Sequence, residues 1–127
     1  MNNVSLKKAL ILCLPILFFS INADALGKKE VLAQQCQDLS ATVASLVSSQ
    51  VRADCAERLG LSSVSIEKAG YLILDYSYPT AKKELNLAVS HLRYAELNSC
   101  NRYIQISHSK FEAQKIKNSL IDTHSSV

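Results

Sequence analysis

Ala81-Lys82-Lys83-Glu84-Leu85-Asn86-Leu87-Ala88-Val89-Ser90-His91-Leu92-Arg93-Tyr94-Ala95 sets Ala81, Leu85, Ala88, Leu92 and Ala95 at steps of four, three, four and three. A helix of 3.6 residues per turn brings those positions onto one side, and small residues alternating with Leu let another helix approach closely. Pro79 and Thr80 stand just upstream, where proline is tolerated in a first helical turn. Downstream the seam weakens at Asn98-Ser99-Cys100-Asn101 and resumes at Tyr103, Ile106, Ala113, Ile116 and Leu120. Either the chain breaks near Asn98, or one helix of about 40 residues runs through, ~60 Å long. Only an elongated domain could hold such a rod, so the break is the expected reading.

The same spacing recurs upstream. Leu32, Cys36, Leu39, Val43 and Leu46 again step by four, three, four and three, and Val47 and Val51 widen the stripe. Arg58 suits the negative pole of a helix and Gly60 a C-terminal stop, so the first helix is expected to end there. Ser62 and Ser63 then offer caps for a shorter helix reaching Tyr76. The run Tyr71-Leu72-Ile73-Leu74 could be a buried strand, but no second strand candidate exists to satisfy its backbone groups. The expected fold is therefore all-α, a small bundle of three to four helices at approximately 28–59, 63–76, 80–98 and 100–121. Residues from Thr123 to Val127 read as a frayed tail.

Ahead of this domain, Lys7 and Lys8 precede the uncharged apolar run from Ala9 to Ile21, and Ala23-Asp24-Ala25 follows. A positive start, a short apolar stretch and an A-x-A exit form a secretory signal, cleaved after Ala25. The run is shorter than the ~20 apolar residues that span a bilayer. Leu12 before Cys13 argues against lipidation, which wants a small residue there. The short, simple leader makes the periplasm of a Gram-negative cell, or secretion, the expected destination. The chain divides into a leader at 1–25 and a single helical domain at 26–127.

Of 127 residues, 14 are Lys or Arg and 11 are Asp or Glu. Lys7, Lys8 and Asp24 leave with the leader, so the mature domain keeps 12 basic and 10 acidic side chains, net +2. That charge is too small and too dispersed to argue for nucleic acid. The length excludes multi-domain enzymes and folds that need two βαβ halves.

Cys36, Cys55 and Cys100 survive processing, an odd number in an oxidising destination, so one disulfide and one free thiol are expected. Cys36 and Cys55 would lie roughly 28 Å apart on an unbroken helix. Pairing them needs a hairpin near Ser48-Ser49, which has no Gly or Pro to support it. An up-down-up-down bundle brings Cys55 and Cys100 to the same end and makes them the expected pair. One long final helix would instead set Cys36 against Cys100. No cluster of cations marks any of the three as a reactive thiol.

His108 and Glu112 share a helix face, but two ligands are too few for a closed metal site, and a solvated face is the simpler reading. His91 reads as a partly exposed boundary residue. No nucleophile elbow, phosphate loop or Cys–His pair with local context appears. A non-enzymatic protein without a cofactor is expected.

Tyrosine is in surplus: Tyr71, Tyr76, Tyr78, Tyr94 and Tyr103 are five of the six mature aromatics. Tyr76 and Tyr78 flank the turn before Pro79 and are the candidate binding residues, because tyrosine joins apolar area to a polar tip. The competing reading has the rings capping a small core. The expected function is that of an exported protein binding another envelope or secreted protein, as an inhibitor, an immunity-type factor or an assembly factor. It would meet the membrane only through its leader before cleavage. A small ligand or metal carrier is the alternative, and a small hydrolase a more distant one.

Overall fold

A computed structural model describes residues 27–125. The leader at 1–25 lies outside the described residues. The four α-helices are α1 (Lys28–Ser45), α2 (Ala53–Leu74), α3 (Tyr78–Leu97) and α4 (Tyr103–Ser125), with a 3₁₀ turn at Val47–Ser49. Each helix packs on the two beside it, and the α1–α4 side is the thinnest. The connections are short and neighbours run antiparallel.

Both four-and-three seams form the core. Leu32, Cys36, Leu39, Val43 and Leu46 are buried, as are Ala81, Leu85, Ala88, Leu92 and Ala95. Ile106, Ala113, Ile116 and Leu120 complete the fourth wall. The break after Leu97 is present, and α3 and α4 are separate helices.

The expected first boundary is corrected. The first helix stops at Ser45 rather than 59, and the second begins at Ala53 rather than 63. Gly60, Ser62 and Ser63 are interior residues of α2. Side chains end α1 where no Gly or Pro stands. Thr42 and Ser45 turn their hydroxyls back onto the carbonyls of Asp38 and Thr42, at 3.0 and 2.6 Å, an alternative to helical bonding. Ser49 and Gln50 then bond the Leu46 carbonyl at 2.7 and 3.0 Å. Gln50 also spans to the start of α4, donating to the Asn101 carbonyl and accepting from its N–H, at 2.8 and 2.9 Å. The expected stripe thus stops short of Val51, which is 89% exposed. The last helix runs to Ser125 rather than 121.

Ser62 and Ser63 serve packing instead of capping. The Ser62 hydroxyl donates to the Ala88 carbonyl of α3 at 3.2 Å. Ser63 and Ser40 each donate to the other's backbone carbonyl, both at 2.9 Å. Gly70 lets α1 and α2 meet: a Cβ there would lie 3.1 Å from the Cys36 Cβ and 3.3 Å from the Ala33 carbonyl oxygen.

Candidate functional site

The end of α2 and the start of α3 meet in the tyrosine turn. The Ser77 N–H bonds the Leu72 carbonyl at 2.9 Å, and the Tyr76 N–H bonds the Ile73 carbonyl at 3.1 Å. This is a Schellman closure, whose left-handed position usually takes glycine because a Cβ is strained there. Tyr76 occupies it, with φ 61°.

The two candidate tyrosines separate in role. Tyr78 opens α3 and packs against the core. Tyr76 is 67% exposed, and its ring meets that of Tyr78 edge-on, with centroids 6.2 Å apart. Lys29, at the start of α1, places its ammonium 3.7 Å from the centre of the Tyr76 ring and 3.5 Å from the Leu74 carbonyl oxygen. The contact with Tyr76 raises the Lys29 pKa above its ordinary value. A cation over a tyrosine face is attracted by the ring quadrupole, so Tyr76 projects outward with its ring held from two sides. Tyr71 and Leu74, also exposed, share the end of α2 with it.

At the opposite end, Cys55 and Cys100 form the disulfide, and Cys36 is free and buried. Burial pushes the Cys36 thiol up to about 12, far from a nucleophile's range. A polar chain runs alongside the disulfide. Arg52 grips Asp54 through two bonds, at 3.1 and 2.6 Å, and donates to the Asn98 carbonyl at 2.7 Å. The Tyr94 hydroxyl donates to Asp54 at 2.9 Å. The Arg58 guanidinium lies 4.2 Å from the Tyr94 ring centre and 3.2 Å from His91 Nδ1. Arginine can only donate, so Nδ1 accepts and the ring proton sits on Nε2. Burial, and then the Arg58 charge, lower the His91 pKa.

Sequence reasoning had no access to this polar chain. Asp54 and Tyr94 lie 40 residues apart, and only the antiparallel register of α2 and α3 joins them. Tyr94, grouped with the surplus tyrosines, is a structural partner of that carboxylate.

His91 is half-buried, as a boundary residue should be, and His108 is exposed on α4. Among the described residues no group of three or more His, Cys, Asp or Glu side chains could hold a metal ion. No protein-family model, curated protein or solved structure matches the chain.

Proposed function

We propose that this chain is an exported, non-enzymatic protein that binds a second envelope or secreted protein through the turn at Tyr76. One observation carries the reading: an exposed tyrosine occupies a left-handed position that glycine fills at lower cost. Strain of this kind costs about 1–3 kcal/mol and tends to gather at binding sites. The ring is steadied beforehand by Lys29 and Tyr78, so little rotamer freedom remains to be lost on binding.

Export rests on Lys7, Lys8, the apolar run from Ala9 to Ile21 and the Ala23-Asp24-Ala25 exit. The Cys55–Cys100 disulfide fits an oxidising compartment, and no described helix is long and apolar enough to cross a membrane. Intact mass of the exported protein tests this half of the reading. A species starting at Leu26 supports it, and one retaining residues 1–25 or bearing lipid on Cys13 refutes it.

The binding half is tested by comparing capture from envelope extracts by the wild type and by Tyr76→Gly. A partner held through this turn is retained by the first and weakened about thirtyfold or more in the second, the scale of a hot spot. Equal retention by two equally stable proteins removes the turn as the site.

A further inference from the structure

The link between α3 and α4 is bent under strain. Its first half closes α3 as the tyrosine turn closes α2: the Cys100 N–H bonds the Ala95 carbonyl at 3.1 Å, and the Ser99 N–H bonds the Glu96 carbonyl at 3.4 Å. Ser99 has φ 55°, and Arg102, the last residue before α4, has φ 63°. Both are left-handed positions, where a Cβ is strained and glycine is not. The link 98–102 contains neither Gly nor Pro, so nothing in its sequence forbids a helix there.

The helical pattern runs straight through the bend. From Ala95, the positions Ser99, Arg102, Ile106 and Ser109 step by four, three, four and three, the spacing of the α3 seam, and Ile106 and Ser109 are buried on α4. One straight helix from Tyr78 to Ser125 would keep the buried sides of α3 and α4 in phase. It would also lift α4 off its own bundle. The place left empty fits α4 of a second copy, with Lys110 of one chain reaching Glu96 of the other as it does within one chain at 2.8 Å. Short links under strain invite this exchange.

What keeps the link bent is its attachment to the start of α2. Gln50 bonds both the N–H and the carbonyl of Asn101, Arg52 donates to the Asn98 carbonyl, and Cys100 is joined to Cys55. The backbone partners in those hydrogen bonds can be satisfied within a helix instead. The covalent bond has no such substitute. On a straight helix Cys100 falls nine residues past His91, about half a turn round from the side where His91 meets Arg58 of α2. It would face away from Cys55, so the disulfide and the straight helix exclude each other.

We infer that the Cys55–Cys100 disulfide is a lock on a strained hinge. With the bond formed, the protein is a single bundle with a bent link. With it reduced, α3 and α4 run on as one helix and two copies exchange α4. The reduction takes two electrons and two protons from a dithiol, which becomes a disulfide, and leaves thiols at Cys55 and Cys100. Val51, Leu97 and Ile104, at 89%, 73% and 66% exposed, flank the link, and the exchange brings the two links together where these side chains gain apolar neighbours. The tyrosine turns stay at the far ends, so the pair carries two.

Light scattering on the exported protein over micromolar concentrations, with and without dithiothreitol, tests the inference beside the variant Cys55→Ser with Cys100→Ser. The oxidised wild type should hold one chain mass throughout. The reduced protein and the serine variant should move towards two as concentration rises, with helicity kept. Adding Ser99→Gly with Arg102→Gly to the serine variant relaxes the bend and weakens the straight helix, and should weaken association about tenfold or more. Spin labels at Lys83→Cys and Asn118→Cys of the serine variant, refolded from urea with excess unlabelled chain, should lie roughly 50 Å apart within one chain, against under about 30 Å for the bent form. A reduced protein that is single or unfolded at every concentration overturns the inference. So does an oxidised wild type that pairs equally well, pairing that the glycines leave unchanged, or the short label distance in the pair.

Discussion

Ser40 and Ser63 exchange hydrogen bonds across the α1–α2 seam, each hydroxyl donating to the other's backbone carbonyl at 2.9 Å. The acceptors are main-chain atoms, so removing one hydroxyl leaves the other's bond in place. Ser40→Ala and Ser63→Ala should each cost about 1 kcal/mol, the net worth of a typical intramolecular hydrogen bond. The two hydroxyl oxygens also lie 3.1 Å apart, and residues in such contact couple, so the double variant should depart from the sum by about 0.5 kcal/mol or more. Urea unfolding of the four proteins closes this cycle. A strictly additive double variant would show that the two hydroxyls act independently.

The two glycines of α2 should respond in opposite directions to alanine. Nothing lies within 4 Å of a Cβ built at Gly60, so Gly60→Ala gains helix propensity alone, about 0.5–1 kcal/mol. At Gly70 the new methyl meets the Cys36 Cβ at 3.1 Å and the Ala33 carbonyl at 3.3 Å, both tied to the α1 backbone. Overpacking of a fitted contact costs typically about 1–3 kcal/mol, which outweighs the propensity gain. Thermal melts should therefore move up for Gly60→Ala and down for Gly70→Ala.

At the tyrosine turn the order of stability distinguishes strain from packing. Tyr76→Gly relieves a left-handed side chain but loses the exposed Lys29 contact and loosens the unfolded chain. Its net change should stay within about 1 kcal/mol of zero. Tyr76→Ala keeps the strain and loses the contact, so it should be the less stable of the two. Tyr78→Ala, which empties a place against the core, should be the least stable, by about 2 kcal/mol or more. Calorimetry on the three variants gives the order directly.

Acid should weaken the fold through Asp54 and Glu96. Asp54 is held below its ordinary value of 3.8 by its bonds from Arg52 and then Tyr94, and Glu96 below 4.5 by Lys110 and then Ser107. Groups lowered in the native state stabilise it fully above their unfolded values and lose that contribution as pH falls through the native ones. His91, also lowered in the fold, adds a loss that sets in below its ordinary value of 6.5. The unfolding midpoint should thus be flat just above neutral pH, begin to decline below it and drop most steeply through the carboxylate range. Asp54→Asn should flatten the drop, and an unchanged acid limb would mean the carboxylate is not held as described.

Breaking the disulfide should cost more stability than the loss of any one of these hydrogen bonds or packing contacts. Cys55 and Cys100 are 45 residues apart, and loop-closure entropy at that length is worth about 4 kcal/mol. Cys100→Ser should fall in stability by that order. In the unreduced wild type one mature thiol, Cys36, should label only after unfolding, since it is buried and its pKa stands at about 12. Two labelled thiols would mean that Cys13 is retained, and three mature thiols would rule the disulfide out.

How the chain declares its fold depends on the signal that is read. Periodicity identified the buried seams of α1, α3 and α4, because burial of one helix face imposes the same steps wherever that helix ends. It missed the α2 face of Cys55, Leu59, Ile66, Ala69 and Ile73, and it counted Tyr103, which is 59% exposed. Helix ends were legible only in part. The usual stop signal, glycine, is misplaced: Gly60 sits within α2, while the left-handed positions after α2 and α3 fall to Tyr76 and Ser99. The α1–α2 break rests on hydroxyl and amide side chains, Thr42, Ser45, Ser49 and Gln50, whose local bonds are also compatible with a continuing helix. The tyrosine turn stood out by composition. The division of its pair into an anchored Tyr78 and a projecting Tyr76 needed the turn's backbone geometry.

The Cys55–Cys100 bond turns the α2–α3 hairpin into a covalent ring, with the tyrosine turn at the pole farthest from the bond. The exposed tyrosine turn is thus a place where a cut does not separate the chain. A protease that nicks the protein beside Tyr76 leaves both fragments tethered by sulfur, and α2 and α3 remain packed through their buried seam. The nicked protein would gain the mass of one water and migrate as an intact chain until reduced. The ring thus makes the exposed turn tolerant of damage at its tip.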